Sequence, residues 1–160
     1  MTIQPIEQKD LKAVIKIIGD HYTEDGKSAH KYFKGYLSDP QRLKSSREQN
    51  FISLNNKGEI TGVCGFSPDK YDTPKILWLT WFYVAKGYQK KGIGTQLLTY
   101  TLNQIKSIKN IKKVYLDTSS HPDYAASVNL YKKFGFQIEA NLTNYWGRGD
   151  NALILGLDVK

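Results

Sequence analysis

The stretch Val84-Ala85-Lys86-Gly87-Tyr88-Gln89-Lys90-Lys91-Gly92-Ile93-Gly94-Thr95 carries an apolar segment into a glycine-containing turn, which opens directly into an amphipathic run. The first N–H groups of a helix have no acceptor within it, and the helix dipole puts partial positive charge at that end. Glycine at 92 and 94 removes side chains there, so an anion can reach those amides. Such a turn suits phosphate, and Lys90 and Lys91 add attraction at longer range. Two common phosphate loops do not fit. A Walker loop needs a Lys-Ser/Thr pair after its second glycine, and none follows here. A dinucleotide fingerprint needs a third glycine where Leu97 stands.

A strand must deliver this turn and a helix must receive it. Ile76 to Val84 (ILWLTWFYV) is the most apolar and aromatic segment and reads as a central strand. Beyond the turn, Ile93, Leu97, Leu98, Leu102, Ile105 and Ile108 keep to one face of a long helix. Upstream, after Ile3–Ile6, residues 8–19 place Leu11, Val14, Ile15 and Ile18 at helical spacing. A second helix is expected from Ser28 as N-cap through Phe33, Tyr36 and Leu37, stopping before Pro40. His21 to Lys27 between them reads as a polar and aromatic loop. Phe51–Leu54 and Ile60–Phe66 flank Asn55-Asn56-Lys57-Gly58, which is hairpin chemistry. Pro68 to Pro74 is a loop. Val114–Thr118 reads as a strand, and a helix from about Tyr124 to Phe134 ends at Gly135. Strands near Phe136–Ala140 and Ala152–Asp158 complete the order β-α-α-β-β-β-α-β-α-β-β. That order implies an α/β (α+β) fold, a mixed sheet with helices on both faces.

The chain has 160 residues, is 40% hydrophobic and 12% aromatic, and reads as one folded domain over 1–160. No run approaches the roughly eighteen apolar residues of a membrane span, and the start shows no signal-peptide pattern. Cys64 is the lone cysteine and cannot form an internal disulfide; in its apolar strand it reads as an inert buried thiol. A cytoplasmic protein is expected, with no membrane partner and no metal. The net charge of +8 is nearly all lysine, since arginine occurs only at Arg42, Arg47 and Arg148. The lysines are scattered, which reads as a solvated surface. Without interleaved basic and aromatic residues or helix-turn-helix spacing, no nucleic-acid partner is expected.

Gln89-Lys90-Lys91-Gly92-Ile93-Gly94 fits Gln/Arg-x-x-Gly-x-Gly/Ala. It resembles the pyrophosphate-binding signature of the GNAT superfamily of acyl-CoA N-acyltransferases. The resemblance extends over essentially the whole chain, and Leu130-Tyr131-Lys132-Lys133-Phe134-Gly135-Phe136 is similar to the family's Leu-Tyr-x-x-x-Gly-Phe run. Asp117-Thr118-Ser119-Ser120 and Asn144 to Asn151 are similar to a bacterial and archaeal subgroup. The resemblance implies a mostly antiparallel sheet of about seven strands flanked by about four helices, with acetyl-CoA as co-substrate. It implies that the amides from Gln89 through Lys90, Lys91, Gly92, Ile93 and Gly94 to Thr95 hold the pyrophosphate. Main-chain groups around Val84 would pair with the pantetheine arm, and the Phe82 amide would face the thioester carbonyl, where negative charge develops.

The resemblance also makes Tyr131 a general acid for the departing thiolate, since a phenol of reference pKa about 10 can donate when held close. Read without it, Val128, Tyr131 and Phe134 recur every three residues and suit a core face. Two positions depart from the family pattern. Tyr124 stands where many members have asparagine, and Trp78 stands where some carry a glutamate base. An acceptor ammonium must still lose its proton; His21, Glu24, Asp25, His121 or a water chain can serve, and no base is assigned. The resemblance implies that the loop between the first helices and the segment before the last strand wall the acceptor cleft. His21, Tyr22, Trp81, Tyr83, Tyr145 and Trp146 are the candidates. The expected reaction is acetyl transfer to an amine, a small molecule in preference to a protein N-terminus or lysine. The alternative is an acyl-CoA-binding regulatory module with little turnover. A homodimer accords with the resemblance, though no residue demonstrates one.

Overall fold

The apolar segment entering the glycine turn is strand β4 (Ile76–Val84), and the rest of the sheet is built outward from it. In the computed structural model, which describes residues 1–159, β1 (Thr2–Pro5), β2 (Gln49–Leu54) and β3 (Ile60–Ser67) lie on one side of β4. On the other side are β5 (Lys113–Ser119), β7 (Asp150–Asp158) and β6 (Gln137–Gly147), giving seven strands in the order β1-β2-β3-β4-β5-β7-β6. Only β4 and β5 run parallel; the other neighbours are antiparallel. A parallel pair needs a crossover, which α4 (Ile93–Ser107) supplies. The other helices are α1 (Leu11–Gly19), α2 (Thr23–Ser38), α3 (Pro40–Lys44) and α5 (Ala125–Lys133). No helix among the described residues is long and apolar enough to cross a membrane.

Alternation along the strands divides the core in two. Ile52 and Val63 pack with Val14, Ile18, Ala29 and Phe33 of α1 and α2. Their neighbours Phe51 and Cys64 turn to the opposite face, with Leu97, Leu98, Ile105 and Tyr131. Burial pushes the Cys64 thiol up to about 12, in keeping with an inert core thiol.

The early helices depart from the sequence reading. His21 to Lys27 is not a loop: α2 begins at Thr23, with Tyr22 extended as its N-cap and Glu24 and Asp25 in the first turn, where the dipole favours acids. The buried positions of this turn are small, Gly26 and Ala29, so no apolar stripe advertises it. Helix α2 does stop before Pro40: the chain bends at Asp39, whose carboxylate caps Gln41 at 2.8 Å, and Pro40 then starts a further short helix, α3, which the sequence reading did not include. Arg42 of α3 is then bonded to the buried Glu48. Strand β6 runs to Gly147, well past Ala140, because its polar outer residues obscure the pattern of an edge strand.

Gly26 lets α2 approach α1: a Cβ there would sit 2.8 Å from the Gly19 Cα. Helix propensity alone makes Gly26→Ala stabilising by about 1 kcal/mol. Overpacking against backbone opposes that and costs about 1–3 kcal/mol. We therefore expect Gly26→Ala to lower the urea unfolding midpoint; a raised midpoint would show that the close approach is unimportant.

Candidate active site

Strand β4 does not stay zipped to its neighbours. Its pairing with β3 jumps from Gly65↔Thr80 to Val63↔Tyr83, so Trp81 and Phe82 together oppose Cys64. Trp81 takes φ +51 in this bulge, a conformation costing a bulky residue on the order of 1–3 kcal/mol. Its indole is held against Tyr32 and Phe33, at centroid distances of 5.5 and 5.8 Å. On the other edge, β4 pairs with β5 only from Ile76 to Trp78, and the two strands then part. Ala85 N–H donates to Thr61 at 2.9 Å, so the ladder alternation turns the Phe82 and Val84 main-chain groups away from β3 into that gap. The Val84 carbonyl meets His21 Nε2 at 2.9 Å. A carbonyl only accepts, so Nε2 carries the hydrogen.

The gap leads to the glycine turn. Gly92 is the N-cap of α4 at φ +79, a left-handed conformation that glycine adopts without penalty. Gln96 is the first amide of α4 to find a main-chain acceptor, Gly92 O at 3.1 Å. The N–H groups of Ile93, Gly94 and Thr95 have no acceptor among the described residues. A Cβ on Gly94 would lie 3.2 Å from Phe82 Cζ and 3.5 Å from Leu130 Cδ2, so the start of α4 is pressed against β4 and α5. Lys91 folds back, donating to Gly87 O at 2.9 Å with its ammonium 5.3 Å from the Tyr88 ring centre. These free amides, with glycine at their approach, fit a pyrophosphate group.

Tyr131 closes the gap from the α5 side. It is 6% exposed, with its ring 5.8 Å from Phe82 and 5.9 Å from Phe136, and its hydroxyl has no hydrogen-bond partner among the described residues. Burial raises the phenol well above its ordinary value, and Cys64 and Asp117 add to the rise. On the α1–α2 side stands a polar wall. Tyr83 Oη donates to Asp25 Oδ2 at 2.6 Å, and Tyr22 stacks on Tyr124 at 5.2 Å. Burial raises Tyr83 and Tyr124, with the Asp25 hydrogen bond adding at Tyr83 and Tyr22 adding at Tyr124. Asp117, on the outward-facing row of β5, is solvent-accessible yet recessed. Burial holds its carboxyl above the usual range, and the neighbouring Asp25 charge adds to this.

The structure thus brings Phe82, Val84, the 89–95 turn and Tyr131 around one opening, with Tyr22, Tyr83 and His21 beside it. Trp81 belongs to the core under α2 instead. Tyr145 and Trp146 are 61% and 52% exposed and pack edge-on against each other near the end of β6. Trp78 packs on Tyr115 at 5.4 Å. Sequence reasoning passed over Asp117 as a site residue and used Tyr124 only as a departure. The available signal was an acid on the polar row of a short strand, with no basic residue spaced to pair with it.

Residues 12–136 match the model of the acetyltransferase (GNAT) family. Over 118 residues the chain is 32% identical to an N-alpha-acetyltransferase of Sulfolobus acidocaldarius, covering 67% of each. Over 95 residues it is 27% identical to a spermine/spermidine N(1)-acetyltransferase of Bacillus subtilis, covering 57% of this chain and 61% of that one. The matched segments span between 42% and 67% of the lengths of such curated relatives. In structure, 99% of the chain superposes on 99% of a GNAT-family protein from Desulfovibrio desulfuricans, with a TM-score of 0.87 at 20% identity. That likeness speaks for the fold.

Gly94→Val would push the start of α4 off Phe82 and misalign the free amides. A hydrogen bond to a charged group contributes about 1.5–3 kcal/mol, so affinity for acetyl-CoA should fall roughly tenfold to a hundredfold. Calorimetric titration of the folded variant checks this; unchanged affinity would place the ligand elsewhere.

Proposed function

Because the chain belongs to the acetyltransferase (GNAT) family, we propose that it moves the acetyl group of acetyl-CoA to an amine by direct attack in a ternary complex. The observation that carries this reading is the opening between β4 and β5, where the Phe82 and Tyr131 rings lie 5.8 Å apart beside free helix-terminal amides. The amides of Gln89 to Thr95 hold the pyrophosphate. The pantetheine arm lies along Val84, replacing the His21 contact there. Attack by an amine turns a thioester carbonyl into an oxyanion, and the fixed Phe82 N–H offers that charge a donor that needs no reorganisation. Tyr131, kept protonated by burial, supplies a proton as the C–S bond breaks.

The relatives named above act on a polyamine and on protein N-termini by their names, and both substrates are primary amines. We favour a small-molecule amine, since Tyr22, Tyr83 and Tyr124 give the cleft an aromatic wall. No metal is needed for this chemistry, and we propose a cytoplasmic site of action, with which use of acetyl-CoA accords. A second reading, an acyl-CoA-binding regulatory module, draws on one observation: Trp78, packed on Tyr115, occupies the strand position where some members carry a glutamate.

Tyr131→Phe separates the two readings. Loss of a general acid lowers kcat by about tenfold or more while leaving affinity for acetyl-CoA nearly intact. Thiol release across a panel of amines, amino acids and peptides, set beside calorimetry, is the measurement. Tight binding with no transfer to any amine by the unaltered protein would favour the regulatory module.

A further inference from the structure

The cleft of this basic protein is lined by acids. The chain carries +8, yet Asp25 at the start of α2 and Asp117 on β5 both face the space beside Tyr83, and neither takes part in an ion pair among the described residues. Asp25 receives the Tyr83 hydroxyl on Oδ2 at 2.6 Å. Asp117 has no side-chain hydrogen bond to another residue among those described. The stacked Tyr22–Tyr124 pair adds aromatic rings close to Asp25. A second, independent feature points to a ligand here: Tyr131, more than nine-tenths buried on the opposite face of the sheet, has a hydroxyl without a hydrogen-bond partner among the described residues, near enough to Asp117 for that charge to raise it. Two carboxylates brought near each other without a cation are a site for one. The rings favour it further, since a cation held over an aromatic face gains about 0.5–2 kcal/mol.

We infer that Asp25 and Asp117 receive the ammonium of a cationic primary amine, and that Asp117 is the base that takes the proton it must lose. This rests on the acetyl-transfer reading above and completes it. Asp117 carboxylate takes one proton from R–NH3+, leaving R–NH2 and a neutral carboxyl. The nitrogen lone pair forms the C–N bond, and the thioester C–S bond breaks as Tyr131 gives its proton to the departing sulfur. The nitrogen, now bearing one proton too many, returns it to the Tyr131 phenolate, and Asp117 releases its proton to solvent. The products are the amide, the free thiol and one proton.

The groups facing Asp117 support the role. Asp25 from α2 raises its basicity, Tyr83 from β4 and Tyr124 at the mouth stay protonated near neutrality, and Asp150 from β7 is engaged by Ser119 at 2.5 Å. A carboxyl raised by burial is a stronger base than an exposed one. It must be ionised to act, so the acidic limb of the rate profile lies above the ordinary carboxylate range.

The test is the pH dependence of kcat/KM for Asp117→Asn, an isosteric change at an accessible position, with aliphatic diamines and with a weakly basic aromatic amine. With diamines, the variant should lose a hundredfold or more near neutrality, and its rate should climb tenfold per pH unit towards the pKa of the amine. With the aromatic amine, already neutral, the loss should be at least about tenfold smaller than with diamines. Asp25→Asn should raise KM for diamines and move the acidic limb of the rate profile to lower pH. If the unaltered protein turns over while Asp117→Asn keeps its rate and pH profile with diamines, the assignment is overturned and acetyl transfer stands. A preference of the unaltered protein for uncharged amines overturns it equally. If no amine releases thiol although acetyl-CoA binds, the transfer reading falls and takes this one with it.

Discussion

Backbone hydrogen bonding is an accounting that a sheet ordinarily closes, and the parting of β4 from β5 leaves it open. Three residues of parallel pairing, Ile76 to Trp78 against Lys113 to Tyr115, hold the two strands together at one end. Beyond them, main-chain groups at Phe82 and Val84 face a gap with no strand opposite. An unpaired buried amide or carbonyl is costly. The gap is therefore a ready place for an extended ligand that can pair as a strand would. The bulge at Trp81 sets the phase of that exposed edge, and aromatic packing under α2 holds the bulge.

Around this gap the two faces of the sheet have different tasks. On the α4–α5 face, Gly94 brings the helix start onto Phe82, and Tyr131 is sealed between Phe82 and Phe136. The result is a dry wall, where a dipole or a proton donor acts with little screening. On the α1–α2 face, Asp25, Tyr83, Tyr22 and Tyr124 make a wetter and more polar wall. Surface lysines give the chain its positive charge, while Asp25 stands in this wall without an ion-pair partner among the described residues. Net charge alone would have misjudged the polarity of this site.

The residues that sit in strong local patterns were legible. Strand β4 runs over the nine residues the composition indicated, the hairpin turn at Asn55–Gly58 forms as its asparagines and glycine imply, and Gly135 closes α5 at φ +94. The turn at 89–95 was legible because glycine spacing states a backbone requirement. What was hidden lay in contacts between distant segments. The first turn of α2 is buried through Gly26 and Ala29, which carry too little apolar surface to mark a helix face. Asp117 gains its environment from α2, and no local pattern announces a neighbour so distant along the chain. Trp81, read as a cleft residue, is drawn into the core because the bulge reverses the simple alternation of β4.

The hydrogen bond from His21 to the Val84 carbonyl has a thermodynamic consequence. An arm that docks on β4 does not gain that carbonyl afresh; it trades one donor for another, so the enthalpy of that contact nearly cancels. What the swap changes is freedom: an imidazole is released to move, and a flexible chain is fixed in its stead. In the proposed complex, coenzyme recognition along this strand contributes chiefly alignment, and the glycine turn is left to supply most of the affinity.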